Sequence, residues 1–180
     1  MTTCPYCGFE NIEGTDQCEQ CETPLTDLHL QEPATAVERG LLADRIQVLA
    51  PRTPIAVTSD TPVREVLRQL VDQRIGCILV VDGSALVGIF SERDALMKLN
   101  VNSAALADRP VSEFMTKNVQ TLENSAKIAF AVQRMDLGSF RHIPIVDQDG
   151  NPRGIISARD ILRYLTERMT MSSMGRRKAD

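Results

Sequence analysis

Four of the five cysteines fall into two equal spacings, CPYC at residues 4–7 and CEQC at 18–21, with ten residues between them. A Cys-x-x-Cys turn aims two thiolates at one point, and two such turns facing each other supply a tetrahedral site suited to zinc. Cys4, Cys7, Cys18 and Cys21 are therefore the candidate metal ligands. Another pattern also occurs twice: GIFSERD at 88–94 and GIISARD at 154–160. In each tag a Ser followed three residues later by Asp is a capping box, Ser91 with Asp94 and Ser157 with Asp160. A helix start offers N–H groups and partial positive charge, which suit a phosphate. A carboxylate there can also accept two hydrogen bonds from adjacent hydroxyls such as a ribose diol, each worth about 1.5–3 kcal/mol. Arg93 and Arg159, one residue before each Asp, can grip a phosphate in a bidentate manner that lysine cannot.

The elements that must position these groups repeat along with the tags. IGCILVVDGSALVGIFSERD and FRHIPIVDQDGNPRGIISARD each hold a β-rich run ending in Asp, a turn containing Gly, a short apolar strand and the tag. The two tags lie 66 residues apart, and the second turn is one residue longer. Ahead of the first run, Val63, Val66, Leu67, Leu70 and Val71 make a helical stripe, with Thr61 predicted as N-cap and Pro62 in the first helical position. Ahead of the second, Ile128, Val132 and Met135 do the same. A brief extended segment precedes each helix, PIAVT at 54–58 and VQTLE at 119–123, and a further helix follows each tag, through ALMKL and ILRYLTERM. Each repeat is thus predicted as β–α–β–β–α over roughly sixty residues, and neither covers its strands alone, so pairing is expected.

Charge separates the two ends of the chain. Residues 1–38 carry eight acidic residues and no Lys or Arg, whereas the remainder holds all 20 basic residues. Phosphate contacts need Lys or Arg, so the cysteine segment is expected to be structural or to dock a protein, and nucleic acid is an improbable partner. The absence of Trp and an aromatic content of 4% argue against a stacking platform for single strands. The apolar runs are too short to span a bilayer, and the start lacks a signal-peptide pattern, so a cytoplasmic location is expected. That location disfavours disulfides, and the missing βαβ context disfavours a thioredoxin-like CxxC. With only His29 and His142, and no Ser/His/Asp or Cys/His grouping, no catalytic residues are assigned and the chain is expected not to be an enzyme.

Residues 4–25 resemble a short bacterial zinc-ribbon family of pattern C-P-x-C-G-x-x-N-x-x-G, C-x-x-C, then Leu: here Cys4, Pro5, Cys7, Gly8, Asn11, Gly14, Cys18, Cys21 and Leu25. The chain departs at Glu22, where that family usually has Gly. So small a segment buries too little apolar surface to fold alone, and metal ligation would supply the missing stability. From about residue 50 to 170 the order β–α–β–β–α, with G-h-x-S-x-x-D opening the last helix, resembles the CBS domain, and two in tandem resemble a Bateman module. The DTPV helix opening at 60–63, VSEFMT at 111–116 and RHIPIVD at 141–147 carry the same likeness.

The resemblance implies an α+β fold: two CBS repeats packed as a pseudo-twofold pair, behind a small N-terminal zinc ribbon. The expected division is a ribbon over 1–26, a linker and lead-in helix (Val37, Leu41, Leu42, Leu49) over 27–50, repeats over 51–105 and 106–170, and a disordered tail over 171–180. It implies a regulatory module binding an adenine nucleotide (AMP, ADP or ATP, with S-adenosylmethionine as a further candidate), a homodimer, and an unidentified protein partner. Ser91, Asp94, Ser157 and Asp160 are the implied nucleotide contacts, joined by Arg93 and Arg159 and, in the second repeat, by Arg141 and His142. Ala56 and Thr121, within Thr53–Val57 and Val119–Leu122, would line the base through the backbone. The first repeat has Gly76 and Cys77 where the second has Arg141 and His142, so the two clefts are expected to be unequal, and Cys77 to be a buried small hydrophobe. A ligand-free dimerisation scaffold and a ribbon-based nucleic-acid regulator are the competing readings.

Overall fold

The computed structural model describes residues 2–4, 6–12, 14–25 and 35–176. His29, the linker at 27–34 and the chain end at 177–180 lie outside the described residues. In chain order the elements are β1 (Thr2–Thr3), β2 (Glu10–Asn11), α1 (Ala36–Ala43), β3 (Ala56–Thr58), α2 (Val63–Gln73), β4 (Cys77–Asp82) and β5 (Ala85–Ser91). They continue as α3 (Glu92–Asp94), α4 (Ser103–Leu106), β6 (Leu122–Glu123), α5 (Ile128–Gly138), β7 (His142–Val146), β8 (Pro152–Ser157) and α6 (Ala158–Arg176). The chain forms two compact units. One comprises Met1–Leu49, Ser125–Phe140 and Ala158–Asp180; the other comprises Ala50–Asn124 and Arg141–Ser157.

The second of these units holds both three-stranded sheets. In each, the first strand pairs parallel with the second and the second antiparallel with the third, giving the orders β3-β4-β5 and β6-β7-β8. Each hairpin turns on a glycine in the left-handed region, Gly83 (φ 63°) and Gly150 (φ 80°), a conformation that costs glycine little. Each hairpin also carries a register shift, between Val80 and Val81 and between Ile145 and Val146. The core around the first sheet includes Val63, Val66, Ile78, Val80, Phe90 and Val111, all fully buried. Each such side chain contributes roughly 1.5–3 kcal/mol.

Reciprocal backbone bonds tie the repeats together. Arg52, ahead of the first repeat, exchanges N–H···O bonds with Ile155 in β8 at 3.1 and 2.9 Å. Thr116, ahead of the second, does the same with Ile89 in β5 at 2.8 and 3.0 Å. Each lead-in segment therefore adds a bridge to the other repeat's hairpin. The glycine of each tag makes room for this: a Cβ on Gly88 would collide with Met115 Sδ, and one on Gly154 would meet Pro51 Cβ at 2.8 Å.

Several local expectations are corrected. Thr61 does not cap α2; Pro62 holds the cap position in an extended conformation, with no side-chain bond. The open N–H groups of Val63 and Arg64 instead donate to the carbonyls of Arg109 and Ala107, both at 2.9 Å. Val71 lies 74% exposed, off the buried face made by Val63, Val66 and Leu70. On α5 the buried positions are Ile128, Ala131 and Arg134, while Val132 is exposed. The first tag opens only a short α3, followed by a π-helical turn at Ala95–Leu99 and a 3-10 turn at Asn100–Asn102, whereas the second opens a helix of 19 residues. Residues 171–176, assigned above to the tail, continue that helix.

In the first unit α1 packs against α5 and α6. A capping box starts α1: Glu38 N–H donates to Thr35 Oγ1 at 3.1 Å, and Thr35 N–H to Glu38 Oε2 at 2.8 Å. Leu49 is not on that helix but in a separate 3-10 turn, Ile46–Leu49. Asp44, just past α1, accepts from Tyr164 Oη at 2.7 Å and from the Arg168 guanidinium, both on α6. Among the described residues no helix is long and apolar enough to cross a membrane.

Candidate functional site

The cysteine turns fold as two copies of one motif. Gly8 N–H donates to the Cys4 carbonyl at 2.9 Å, and Cys4 N–H to the Phe9 carbonyl at 2.7 Å. Glu22 N–H donates to the Cys18 carbonyl, and Cys18 N–H to the Thr23 carbonyl, both at 2.8 Å. Glu22 keeps the geometry that glycine would give by adopting φ 57° itself. Asn11 locks the turns together: its Nδ2 donates to the Phe9 carbonyl at 3.0 Å, and its Oδ1 accepts from Glu19 N–H at 3.0 Å.

The four Sγ atoms all lie within 4.8 Å of one another, with Cys4–Cys21 at 3.6 Å and Cys7–Cys18 at 3.5 Å. A regular tetrahedron with metal–sulfur bonds of about 2.3 Å has edges near 3.8 Å, so this donor set fits a tetrahedral thiophilic cation. The separations are far beyond a disulfide bond of about 2.05 Å. Desolvation within the cysteine cluster, then the neighbouring sulfurs, raise the Cys7 thiol to about 12 against the Phe9 backbone bond, although the residue itself stands exposed. Burial also acts to raise Cys18, but bonds from the N–H groups of Cys21 and Gln20, with the Cys7 and Cys21 thiols, outweigh it and bring it to about 6. Tyr6 N–H, 3.4 Å from Cys4 Sγ, and Asn11 Nδ2, 3.6 Å from Cys18 Sγ, supply further donors to the sulfurs.

The first tag is a closed hydrogen-bonded unit. Asp94, 9% exposed, receives Ser91 N–H at 2.9 Å and the Ser91 hydroxyl at 2.6 Å on Oδ2. Its Oδ1 receives the Thr116 hydroxyl at 2.9 Å and the Lys98 ammonium at 2.7 Å. Burial acts to raise its pKa, but the bonds from Lys98, Ser91 and Thr116 overcome that and hold the carboxyl below the usual carboxylate range. Arg93 is exposed on α3. Sequence reasoning missed both Thr116 and Lys98. Lys98 stands four residues after Asp94, a visible helical pair, whereas Thr116 is brought in only by its bridge to β5.

In the second tag Ser157 ends β8 and is 8% exposed, while Asp160 lies in the first turn of α6 at 4% exposed. Asp160 Oδ1 accepts from Arg163 at 3.0 Å, and Arg159 is exposed. Arg141 is exposed just before β7, and His142 is the first residue of that strand. Cys77 pairs in register with Ser91 and His142 with Ser157, so Cys77 and His142 hold equivalent places. The imidazole lies over Gly76: a Cβ built there would be 2.7 Å from His142 Cε1 and 3.6 Å from Glu92 Oε2. Cys77 is 6% exposed, and burial, then the charge of Glu92, pushes its thiol up to about 12. Ala56 is exposed in β3, and Thr121 immediately precedes β6.

The CBS domain family matches residues 47–100 and 111–167. The chain is 30% identical over 131 residues to an uncharacterized 17.7 kDa protein of Acidianus ambivalens, covering 72% of this chain and 78% of that one. Some curated relatives are much longer: a CBS domain-containing protein of Arabidopsis thaliana is 33% identical over 94 residues, but only 17% of its length is spanned. Among solved structures, a CBS-domain containing protein from Agrobacterium tumefaciens is 30% identical with a TM-score of 0.62, covering 67% of this chain and 98% of that one. The structure of CBSX2 in complex with AMP is 26% identical with a TM-score of 0.57, covering 67% and 96%. With two matched copies in tandem and the sheet pairing described above, the chain belongs to the CBS domain family.

Proposed function

We propose that this chain is a regulatory module whose CBS pair senses an adenine nucleotide, and that its four cysteines hold a structural zinc ion. The observation that carries the nucleotide reading is the burial of a carboxylate in each tag, Asp94 and Asp160, next to a segment of helix. A similar solved structure holds AMP. The proposed contacts are Ser91, Arg93, Asp94, Ser157, Arg159 and Asp160, with Arg141 and His142 in the second repeat and the backbone at Ala56 and Thr121 along the base. A diol at Asp94 would have to displace Lys98 or Thr116, whose bonds already fill the carboxylate. Arg141 and His142 stand only in the second repeat, opposite Gly76 and Cys77 in the first, and they make the second tag the stronger site. The function is binding rather than catalysis, and self-association as a homodimer belongs to the same reading.

Zinc fits the ribbon through its preference for four thiolates in tetrahedral array. When bound, it would supply folding free energy to a segment whose only sheet, among the described residues, is a pair of two-residue strands. The acidic surface of this segment favours a protein-docking or purely structural role over a nucleic-acid one.

Thermal unfolding with AMP, ADP, ATP and S-adenosylmethionine in turn tests the nucleotide reading. A ligand at a hundred times its dissociation constant adds about 2.7 kcal/mol. Asp160→Ala should remove most of that shift and Asp94→Ala less. If none of the four ligands moves the transition, or the double variant shifts as the wild type does, the chain is a ligand-free scaffold instead.

A further inference from the structure

Arg134 is the one arginine among the buried polar and charged residues described. It sits on the inward face of α5 with Ile128 and Ala131, a place where the helical pattern calls for an apolar side chain. Removing a guanidinium from water is costly unless charge or hydrogen bonds compensate. Part of the compensation comes from the cysteine segment: Arg134 Nη2 donates at 2.6 Å to the carbonyl of Tyr6, between the ligand candidates Cys4 and Cys7. Burial lowers the pKa of the guanidinium, and the charges of Cys4, Tyr6, Cys7 and Cys21 act against that lowering.

Four thiolates around a divalent cation carry a net charge of −2, so the loaded centre calls for a nearby cation. A donor at the backbone of a ligand turn also fixes where that turn places its sulfurs, as outer contacts do at other metal centres. Helix α5 lies inside the second matched CBS repeat, residues 111–167. The ribbon is thus attached to the sensing module at a charged, buried point.

We infer that Arg134 couples metal occupancy of the four-cysteine centre to helix α5 of the second CBS repeat, so that loading the ribbon stabilises that helix. The inference rests on the zinc reading above. Coupling of this kind is reciprocal, so whatever orders α5 also tightens the metal.

The test uses the full chain under reducing conditions, zinc-loaded or stripped with EDTA. Amide exchange of peptides covering 128–138 should speed up by roughly 5- to 150-fold on stripping. Arg134→Met should weaken zinc binding by roughly 10- to 100-fold in competition with a chromophoric chelator, and α5 exchange should then no longer respond to EDTA. Arg134→Lys keeps the charge without the fork and should recover part of the affinity. Cobalt(II) separates the two readings. No thiolate-to-metal charge-transfer band removes the metal centre and this inference with it. A normal band with α5 exchange indifferent to stripping, or Arg134→Met with wild-type zinc affinity, overturns the coupling alone. If Arg134→Met fails to fold, the wild-type exchange comparison still decides.

Discussion

Gly76 leaves the space that His142 fills: a Cβ on Gly76 would stand 2.7 Å from the imidazole Cε1 and 2.8 Å from Nε2. By strand register Gly76 is the first repeat's counterpart of Arg141, and Cys77 the counterpart of His142. The lack of a side chain at position 76 is therefore matched to the imidazole of the second repeat. The His142 ring of the second repeat seats over the Gly76 backbone of the first.

Gly76→Ala should thus lower stability by about 1–3 kcal/mol, through overpacking against a ring held by its own strand. Gly76 does not have a positive φ, so backbone strain does not confound the substitution. His142→Ala in the same chain should restore much of the loss, with a coupling of about 0.5–3 kcal/mol in the double-mutant cycle read by urea unfolding. Additive single effects would mean that the two residues do not share this space.

Asp94 sets a pH dependence. Its folded-state pKa lies below the usual value, so its contribution is present above an unfolded-state pKa of about 3.9 and is lost as pH falls through the folded value. Asp94→Asn should cost about 1–3 kcal/mol at neutral pH. The gap between variant and wild type should narrow once the pH drops below about 4. A gap that stays constant down to pH 2, by denaturant unfolding at each pH, would show that the carboxylate is not held by these partners.

What the sequence made legible was whatever depended on local pattern. Both tags, the strand pairs and the ribbon turns follow from spacing and turn residues, and the Ser91–Asp94 box forms as its spacing predicts. What escaped was set by groups distant in sequence. The N–H groups at the start of α2 are met by the carbonyls of Ala107 and Arg109, which made Thr61 unnecessary as a cap. Thr116 reaches Asp94 only because the segment ahead of the second repeat bridges β5. Arg134 breaks the apolar stripe because partners far earlier in the chain help to compensate its charge, whereas the apolar spacing alone points to Val132, which is exposed. Arg134 shares the helical spacing of Ile128 and Ala131, but its charge reads as exposure until the cysteine segment is seen beside it.

Glu22 offers a stabilising change. A side chain in the left-handed region costs about 1–2 kcal/mol, and glycine removes that cost while losing about 0.5–1 kcal/mol through unfolded-chain entropy. Glu22→Gly should therefore leave the ribbon up to about 1.5 kcal/mol more stable and raise zinc affinity correspondingly in chelator competition. A weaker metal site in that variant would show that the carboxylate does something other than occupy a turn.

The five thiols should separate into two classes by environment rather than by sequence. Cys4, Cys7, Cys18 and Cys21 converge on one centre, whereas Cys77 is buried at the start of β4 with its thiol pushed up to about 12. Since the thiolate is the reactive form, Cys77 should be silent to Ellman's reagent at neutral pH while the chain is folded. The zinc-loaded chain should show no fast thiol, EDTA should release one zinc ion and expose four, and denaturant should expose the fifth. A fast thiol in the loaded chain would mean that one cysteine is not a ligand. Five fast thiols after EDTA alone would mean that the first sheet opens when the metal leaves, contrary to the burial of Cys77 by strand packing.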